Sequence, residues 1–142
     1  MRRLAASALS SAAAAPSSNL RRRIEACCRL DAGSAMVAHP SKMETGGEDA
    51  HLQMAELRVF GVFDGVGGWS EVGIDPSVFS RNLAAQTRLA CEKIDGGRRA
   101  GLSAKELRTA LANGLRRVHD PGSATACLMC VDFVSNHCFR NR

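Results

Sequence analysis

The feature of this sequence that most constrains its fold is an apolar strand pattern that ends in an aspartate and a cluster of glycines. Residues 58–63 carry apolar side chains on both alternating faces, as expected for a buried strand, and Asp64 follows directly. Gly65, Gly67 and Gly68 come next and leave the backbone bare, so that carbonyl and amide groups can approach an ion or a phosphate. The run indicates a strand that carries a carboxylate to a binding loop, although a tight turn with an exposed capping aspartate also fits.

The residues before this strand predict a partner for it. Residues 50–54 are expected to form a second strand, which pairs with the first in a hairpin that turns near Glu56. In that register Glu48 lies opposite Asp64, with both side chains on one face. Adjacent carboxylates repel each other and are costly to bury unless a divalent cation lies between them. Since oxygen ligands favour Mg²⁺ or Mn²⁺ over zinc, the pattern predicts a hard-cation site at Glu48, Asp49 and Asp64.

A long helix is predicted after the glycine loop. Asp75 is suited to cap its start, Pro76 suits the first helical position, and residues 96–97 are glycines that end it. Apolar residues at helical spacing form one stripe along it. This stripe contains Phe79, Leu83, Ala90 and Ile94.

A second helix and a third strand follow. Ser103 and Glu106 have the spacing of a capping box, and residues 120–122, Asp-Pro-Gly, end this helix. Its predicted apolar face contains Leu107, Leu111, Leu115 and Val118. Residues 124–131 are expected to form another buried strand. The order strand, strand, helix, helix, strand predicts an α+β domain in which a helical layer covers a sheet.

The N-terminal residues have the composition of a targeting segment. Residues 1–25 are rich in Ala, Ser and Arg, with no acidic residue before Glu25, and they predict an organelle transit peptide. We expect import into a mitochondrion, with a plastid as the alternative, and a disordered tail without an address also fits. The leader carries most of the net charge of +5, so the charge gives little support for a nucleic-acid partner, and we expect none. No apolar run approaches the ~20 residues that span a bilayer.

The six cysteines are irregularly spaced, which favours reduced thiols in an intracellular compartment over a disulfide framework. Cys127 and Cys130, with His137 and Cys138 nearby, raise the alternative of a zinc site. Positions three apart on a strand face opposite sides, however, so buried thiols are the preferred interpretation.

Five segments together carry a family resemblance. They are Gly47-Glu48-Asp49-Ala50, Val62-Phe63-Asp64-Gly65-Val66-Gly67-Gly68-Trp69, Gly73-Ile74-Asp75-Pro76, Phe79-Ser80 and Ser123-Ala124-Thr125-Ala126. They resemble the metal-dependent serine/threonine phosphatases of the protein phosphatase 2C (PP2C) type, in particular the Ptc7-like branch, which is largely mitochondrial or plastid. The resemblance covers about residues 39–132. It implies the N-terminal part of a four-layer α-β-β-α sandwich and a phosphoprotein substrate.

The resemblance also implies a two-metal site. In the family two Mn²⁺ or Mg²⁺ ions activate a water that attacks phosphoserine or phosphothreonine, so no protein nucleophile is needed. Carried over by position, Asp64 would bridge both metals and the Gly65 carbonyl would bind one of them. Glu48 would act through a metal-bound water, and Asp49 would support the cluster.

The sequence departs from the family at several points. Many relatives have a phosphate-binding Arg where this chain has Glu44; Lys42 could replace it, although a solvated lysine is the alternative. The later aspartates that complete the metal site have no counterpart, and residues 133–142 form a divergent tail. We therefore expect an incomplete phosphatase domain with little or no activity by itself. The alternative function is that of an inactive truncated isoform that acts as a binding or regulatory module.

Overall fold

The structure is a computed structural model that describes residues 30–98 and 101–131. These ranges contain three strands, two α-helices and three short 3-10 helices. The predicted leader, residues 1–25, and the predicted divergent tail, residues 133–142, lie outside the described residues, as do His137 and Cys138 of the zinc alternative. The predicted domain boundaries at residues 39 and 132 stay predictions.

The strands form one antiparallel sheet in the order β1-β2-β3. Strand β1 is Asp49–Met54, β2 is Val59–Gly65 and β3 is Ala124–Cys130. The predicted strands therefore exist, with ends that differ by one or two residues. Alternate side chains of β1 and β2 point to one face and are buried there under the helices, as the period of two in a strand requires. These side chains are Ala50, Leu52, Met54, Val59 and Phe63.

The hairpin between β1 and β2 is one residue out of the predicted register. Ala55–Leu57 forms a 3-10 turn, and Arg58 adopts the left-handed conformation with φ of 55°. The connection therefore has no single central residue at Glu56. Asp49 pairs with Asp64, and the prediction that Glu48 lies opposite Asp64 is wrong.

The first long helix, α1, spans Pro76–Asp95 and confirms the predicted start and end signals. The Asp75 side chain accepts a hydrogen bond of 2.9 Å from the Ser77 amide, as an N-cap does. Gly96 ends the helix with φ of 60°, a conformation that favours glycine. The helix packs across β1 and β2, and its buried residues complete one hydrophobic core with the sheet.

The second helix, α2, spans Ala104–Leu115, and the predicted capping box of Ser103 and Glu106 is present. Leu107 is buried as predicted, but Leu115 is 50% exposed, so its place on the apolar face is wrong. The helix ends at Leu115, so its predicted end at residues 120–122 and the place of Val118 on its apolar face are wrong. Its close approach to α1 is made through small residues. A Cβ atom on Gly114 would lie 2.8 Å from the backbone nitrogen of Thr87 in α1.

No helix in the described ranges is both long and apolar enough to cross a membrane.

Strand β3 is not the buried strand that the sequence predicts. Among the described residues it pairs with β2 alone, and its face away from the helices is exposed. Cys127 and Met129 lie on this face, with Met129 55% exposed, whereas Cys130 is partly buried against the core. The two cysteines therefore differ in environment, as opposite faces predict, but the expectation that both thiols are buried is wrong for Cys127.

The contact between Gly114 and Thr87 leads to a stability prediction. Gly114→Ala should lower the free energy of unfolding by about 1–3 kcal/mol, because the helices must separate to admit a methyl group. The higher helix propensity of alanine, worth about 1 kcal/mol, offsets only part of this loss. Urea denaturation followed by circular dichroism measures the change. Gly33→Ala, where a Cβ atom meets nothing within 4 Å, is the control. Equal stability of Gly114→Ala and the wild-type chain would disprove the tight helix contact.

Candidate metal centre

Two carboxylates stand side by side where the hairpin strands end. Asp49 is the first residue of β1 and pairs with Asp64, near the end of β2, and both side chains are exposed. Partial desolvation raises the pKa of the Asp49 carboxyl, and Asp64 raises it further through charge repulsion and a hydrogen bond between the two side chains. The pair therefore holds negative charge at a density that a cation would stabilise.

Glu48 does not join this pair directly, because its side chain turns towards Lys42 and Gly67. The Lys42 Nζ atom lies 2.6 Å from Glu48 Oε2, and only 16% of the Glu48 side chain is exposed. A Cβ atom on Gly67 would lie 2.9 Å from Glu48 Oε1. Lys42 is thus in an ion pair at the site rather than free in solvent. A phosphate-binding cation would be needed at this position beside Glu48.

The glycines after Asp64 have different roles. A Cβ atom on Gly65 would lie 2.6 Å from the Glu48 carbonyl oxygen and 2.8 Å from that of Pro76, so glycine is required for β2 to approach both segments. Gly67 leaves space for the Glu48 carboxylate, whereas a Cβ atom on Gly68 would meet nothing within 4 Å. Gly65 and Gly67 are therefore explained by packing against the protein and not only by access for a ligand. The following residues, Gly67–Val72, form a 3-10 helix where a loop was predicted.

Helix α1 holds the chain just before β1. The Ser80 hydroxyl donates a hydrogen bond to the Glu48 carbonyl oxygen. The Arg81 Nη2 atom donates to the carbonyl oxygens of Thr45, at 3.0 Å, and Gly47, at 3.2 Å. Neither side chain has a role that the sequence predicts: Ser80 belongs to the family motif, but Arg81 gives no signal in the sequence.

Trp69 anchors the turn after Asp64 to the start of β3. Its Nε1 atom donates a hydrogen bond of 2.9 Å to the Ser123 hydroxyl. The Val66 amide donates to the Ser123 carbonyl oxygen at 3.0 Å. Because the ring nitrogen is already satisfied and the residue is partly buried, the geometry favours packing over stacking on a substrate.

The donor set fits part of a hard-cation site. Asp49 and Asp64 offer adjacent carboxylate oxygens, the ligand type that Mg²⁺ and Mn²⁺ prefer. Within residues 30–98 and 101–131, however, no three His, Cys, Asp or Glu side chains converge in a way that could hold a metal ion. That finding also gives Cys127 and Cys130 no zinc cluster in this part of the chain.

The Asp49–Asp64 pair leads to a pKa prediction. Asp64→Asn should lower the pKa of Asp49, because it removes the repulsion and changes the hydrogen bond that raise it. The raised pKa of Asp49 means that its carboxyl group binds a proton more tightly in the folded chain than in the unfolded chain. The wild-type chain should therefore gain stability relative to Asp64→Asn as the pH falls from neutrality through that pKa.

A ¹³C NMR titration of the Asp49 carboxyl group measures this pKa directly. Asp75→Asn is the control, because it makes the same change at a carboxylate that does not contribute to the Asp49 shift. An unchanged Asp49 pKa in Asp64→Asn would rule out the close pairing of the two acids.

Comparisons with known proteins agree on one family, although no family model matches the chain. Over 101 residues the chain is 39% identical to the Arabidopsis thaliana protein named probable protein phosphatase 2C 80. This alignment covers 71% of this chain and 23% of that protein. Over 59 residues it is 51% identical to probable protein phosphatase 2C 55 of the same plant, with 42% of this chain and 13% of that protein covered.

A solved structure shares the fold. The X-ray structure of the photosystem II phosphatase PBCP superposes with a TM-score of 0.58 and 31% identity, over 69% of this chain and 36% of that chain. The chain thus spans well under half the length of each of these proteins. Whether it belongs to the Ptc7-like branch stays a prediction. The sequence identities and the shared fold agree, and the chain belongs to the protein phosphatase 2C family, of whose fold its described residues form a part.

Proposed function

We propose that this chain is part of a protein phosphatase that hydrolyses phosphoserine and phosphothreonine in protein substrates with the help of divalent Mn²⁺ or Mg²⁺. The observation that carries the proposal is the pairing of Asp49 with Asp64 at the end of a hairpin in a chain of this family. The raised pKa of Asp49 supports it, because repulsion from Asp64 and Glu48 adds to desolvation in raising it, and a cation would relieve that repulsion.

Each site residue has a proposed role. Asp64, with the backbone carbonyl of Gly65, would bind the metal directly, and Asp49 would support it from the neighbouring strand. Glu48 would contribute through a water molecule, since its carboxylate is directed to Lys42. Divalent cations at such a site supply an activated water and neutralise charge on the phosphoryl group. The family relation favours two ions, which need ligands beyond the carboxylates that the described residues bring together.

Lys42 is the proposed phosphate-binding residue. Its ammonium group is held beside Glu48 by a contact of 2.6 Å and remains 42% exposed, so a phosphoryl oxygen can approach it from solvent. An ammonium–phosphate hydrogen bond between charged groups is stronger than a neutral one. The Glu48 carboxylate orients the ammonium group before a substrate arrives.

A binding or regulatory module is the second candidate function. The absence of three converging ligand side chains within the described ranges favours it for a polypeptide of this sequence alone. Such a module would bind a phosphoprotein without hydrolysing it.

Phosphate release tests the two functions. The full 142-residue chain is incubated with a phosphothreonine peptide and Mn²⁺, and circular dichroism confirms that each variant is folded. The phosphatase proposal predicts weak Mn²⁺-dependent release, because the described residues bring together only part of a ligand set, and Asp64→Asn should abolish it by removing a metal ligand. Glu92→Gln, which neutralises an exposed carboxylate near the far end of α1, should retain the activity. A folded wild-type chain that binds the peptide without releasing phosphate would support the binding module instead.

We also propose import into an organelle, on the basis of the Arg- and Ala-rich residues 1–25. A mitochondrion is the first candidate. A plastid is the alternative, which gains support from the solved relative that is named as a photosystem II phosphatase. A fluorescent protein fused after residue 25 should accumulate in one of these organelles, and a diffuse signal would refute the targeting role. Replacing Arg21, Arg22 and Arg23 by Ala should abolish import.

A further inference from the structure

We infer that Arg81 is a positioning residue of the metal centre: it fixes the turn that joins the phosphate-side Lys42 to the metal-side Glu48 and Asp49. The inference rests on the proposed function, because it assigns a role to Arg81 within that site. Arg81 donates to backbone carbonyl oxygens of the turn rather than to the Glu48 or Asp49 carboxylate, so its effect would pass through the backbone of the turn.

The turn makes hydrogen bonds of its own but contains two adjacent glycines. Gly46 and Gly47 have φ values of 76° and 80°, a conformation that glycine adopts without strain but does not prefer strongly. The Gly47 amide donates to the Lys42 carbonyl oxygen at 3.1 Å, which closes the turn on the residue that carries the ammonium group. Two consecutive glycines have more backbone freedom to lose than any other pair, so contacts from outside the turn add to what its own hydrogen bonds hold.

Helix α1 supplies those contacts from two neighbouring residues. Arg81 donates to the carbonyl oxygens of Thr45 and Gly47, on both sides of Gly46, and Ser80 donates to that of Glu48. A guanidinium group suits this task because it is always charged and planar and carries several donors in a fixed arrangement. The turn is thus fastened to a 20-residue helix rather than to another loop.

The fastened turn sets the position of the charged groups on either side. Before it, Lys42 places Nζ against the Glu48 carboxylate; after it, Asp49 enters β1 in register with Asp64. Movement of the turn would shift both groups relative to Asp64, whose strand is anchored independently through Ser123. Outer-shell residues that orient ligands typically change metal affinity about 10–100-fold when removed.

Arg88 offers a matched control on the same helix. Its Nη2 atom donates to the Gln53 carbonyl oxygen at 3.2 Å, so it makes the same kind of bond to the opposite end of β1. Arg81→Ala and Arg88→Ala each remove one exposed arginine and one positive charge from α1. Only the first should affect the turn at Gly46 and Gly47.

The experiment measures two quantities on the 142-residue chain. Amide hydrogen exchange of Gly47 reports the turn without any metal, and electron paramagnetic resonance of Mn²⁺ alone reports the affinity of the site. Arg81→Ala should speed Gly47 exchange by about tenfold and weaken Mn²⁺ binding by about tenfold, whereas Arg88→Ala should change neither. Arg81→Lys retains the charge and one donor group and should recover part of both effects.

The outcomes separate this inference from the proposed function. Unchanged Gly47 exchange in Arg81→Ala, or equal effects of the two alanine variants, would overturn the positioning role. Mn²⁺ binding that is lost in Asp64→Asn but unaffected in Arg81→Ala would support the metal site and reject the inference. A wild-type chain without Mn²⁺ affinity would refute the proposed function and the link of Arg81 to a metal, and Gly47 exchange would then show only whether Arg81 holds the turn.

Discussion

The repulsion between Asp49 and Asp64 is the constraint on which the described site depends. Two carboxylates in register across a hairpin destabilise the folded chain in the absence of a cation, and their repulsion adds to the desolvation that raises the pKa of Asp49. The rest of the hairpin must hold the pair together against it. Core side chains on the opposite face of β1 and β2 do so, with Phe63 and Val59 completely buried beneath the helices.

Helix α1 connects this core to the site. Its interior face packs on the sheet, while its first turns donate hydrogen bonds from Ser80 and Arg81 to the chain before β1. Gly65 allows β2 to lie within van der Waals distance of the carbonyl groups of Glu48 and Pro76, so strand, turn and helix meet at one point. The proposed metal centre would be held more rigidly by such elements than by loops alone.

The sheet has two unlike faces in the described ranges. One is covered by α1 and α2, and the other exposes Val62 at 60%, two residues from Asp64, and Met129 at 55%, further along the sheet. Both the limited overlap with the solved relative, 36% of its length, and the two-layer arrangement of the described residues agree with a part of a larger α+β fold.

Local signals in the sequence determined the elements. The cap at Asp75, the capping box at Ser103 and the apolar strand before Asp64 each depend on residues a few positions apart, so the sequence predicted them correctly. The sequence also placed Glu48, Asp49, Asp64 and Lys42 near one another, through the hairpin and the family motifs.

Only the tertiary structure decided how these residues face each other. The hairpin connection is one residue longer than predicted, so Asp49 rather than Glu48 lies opposite Asp64. A strand register depends on turn geometry that the sequence does not state. The exposure of β3 and the role of Arg81 likewise depend on partners more than thirty residues away in the chain. Distant contacts of this kind are set by packing as a whole, which no local pattern records.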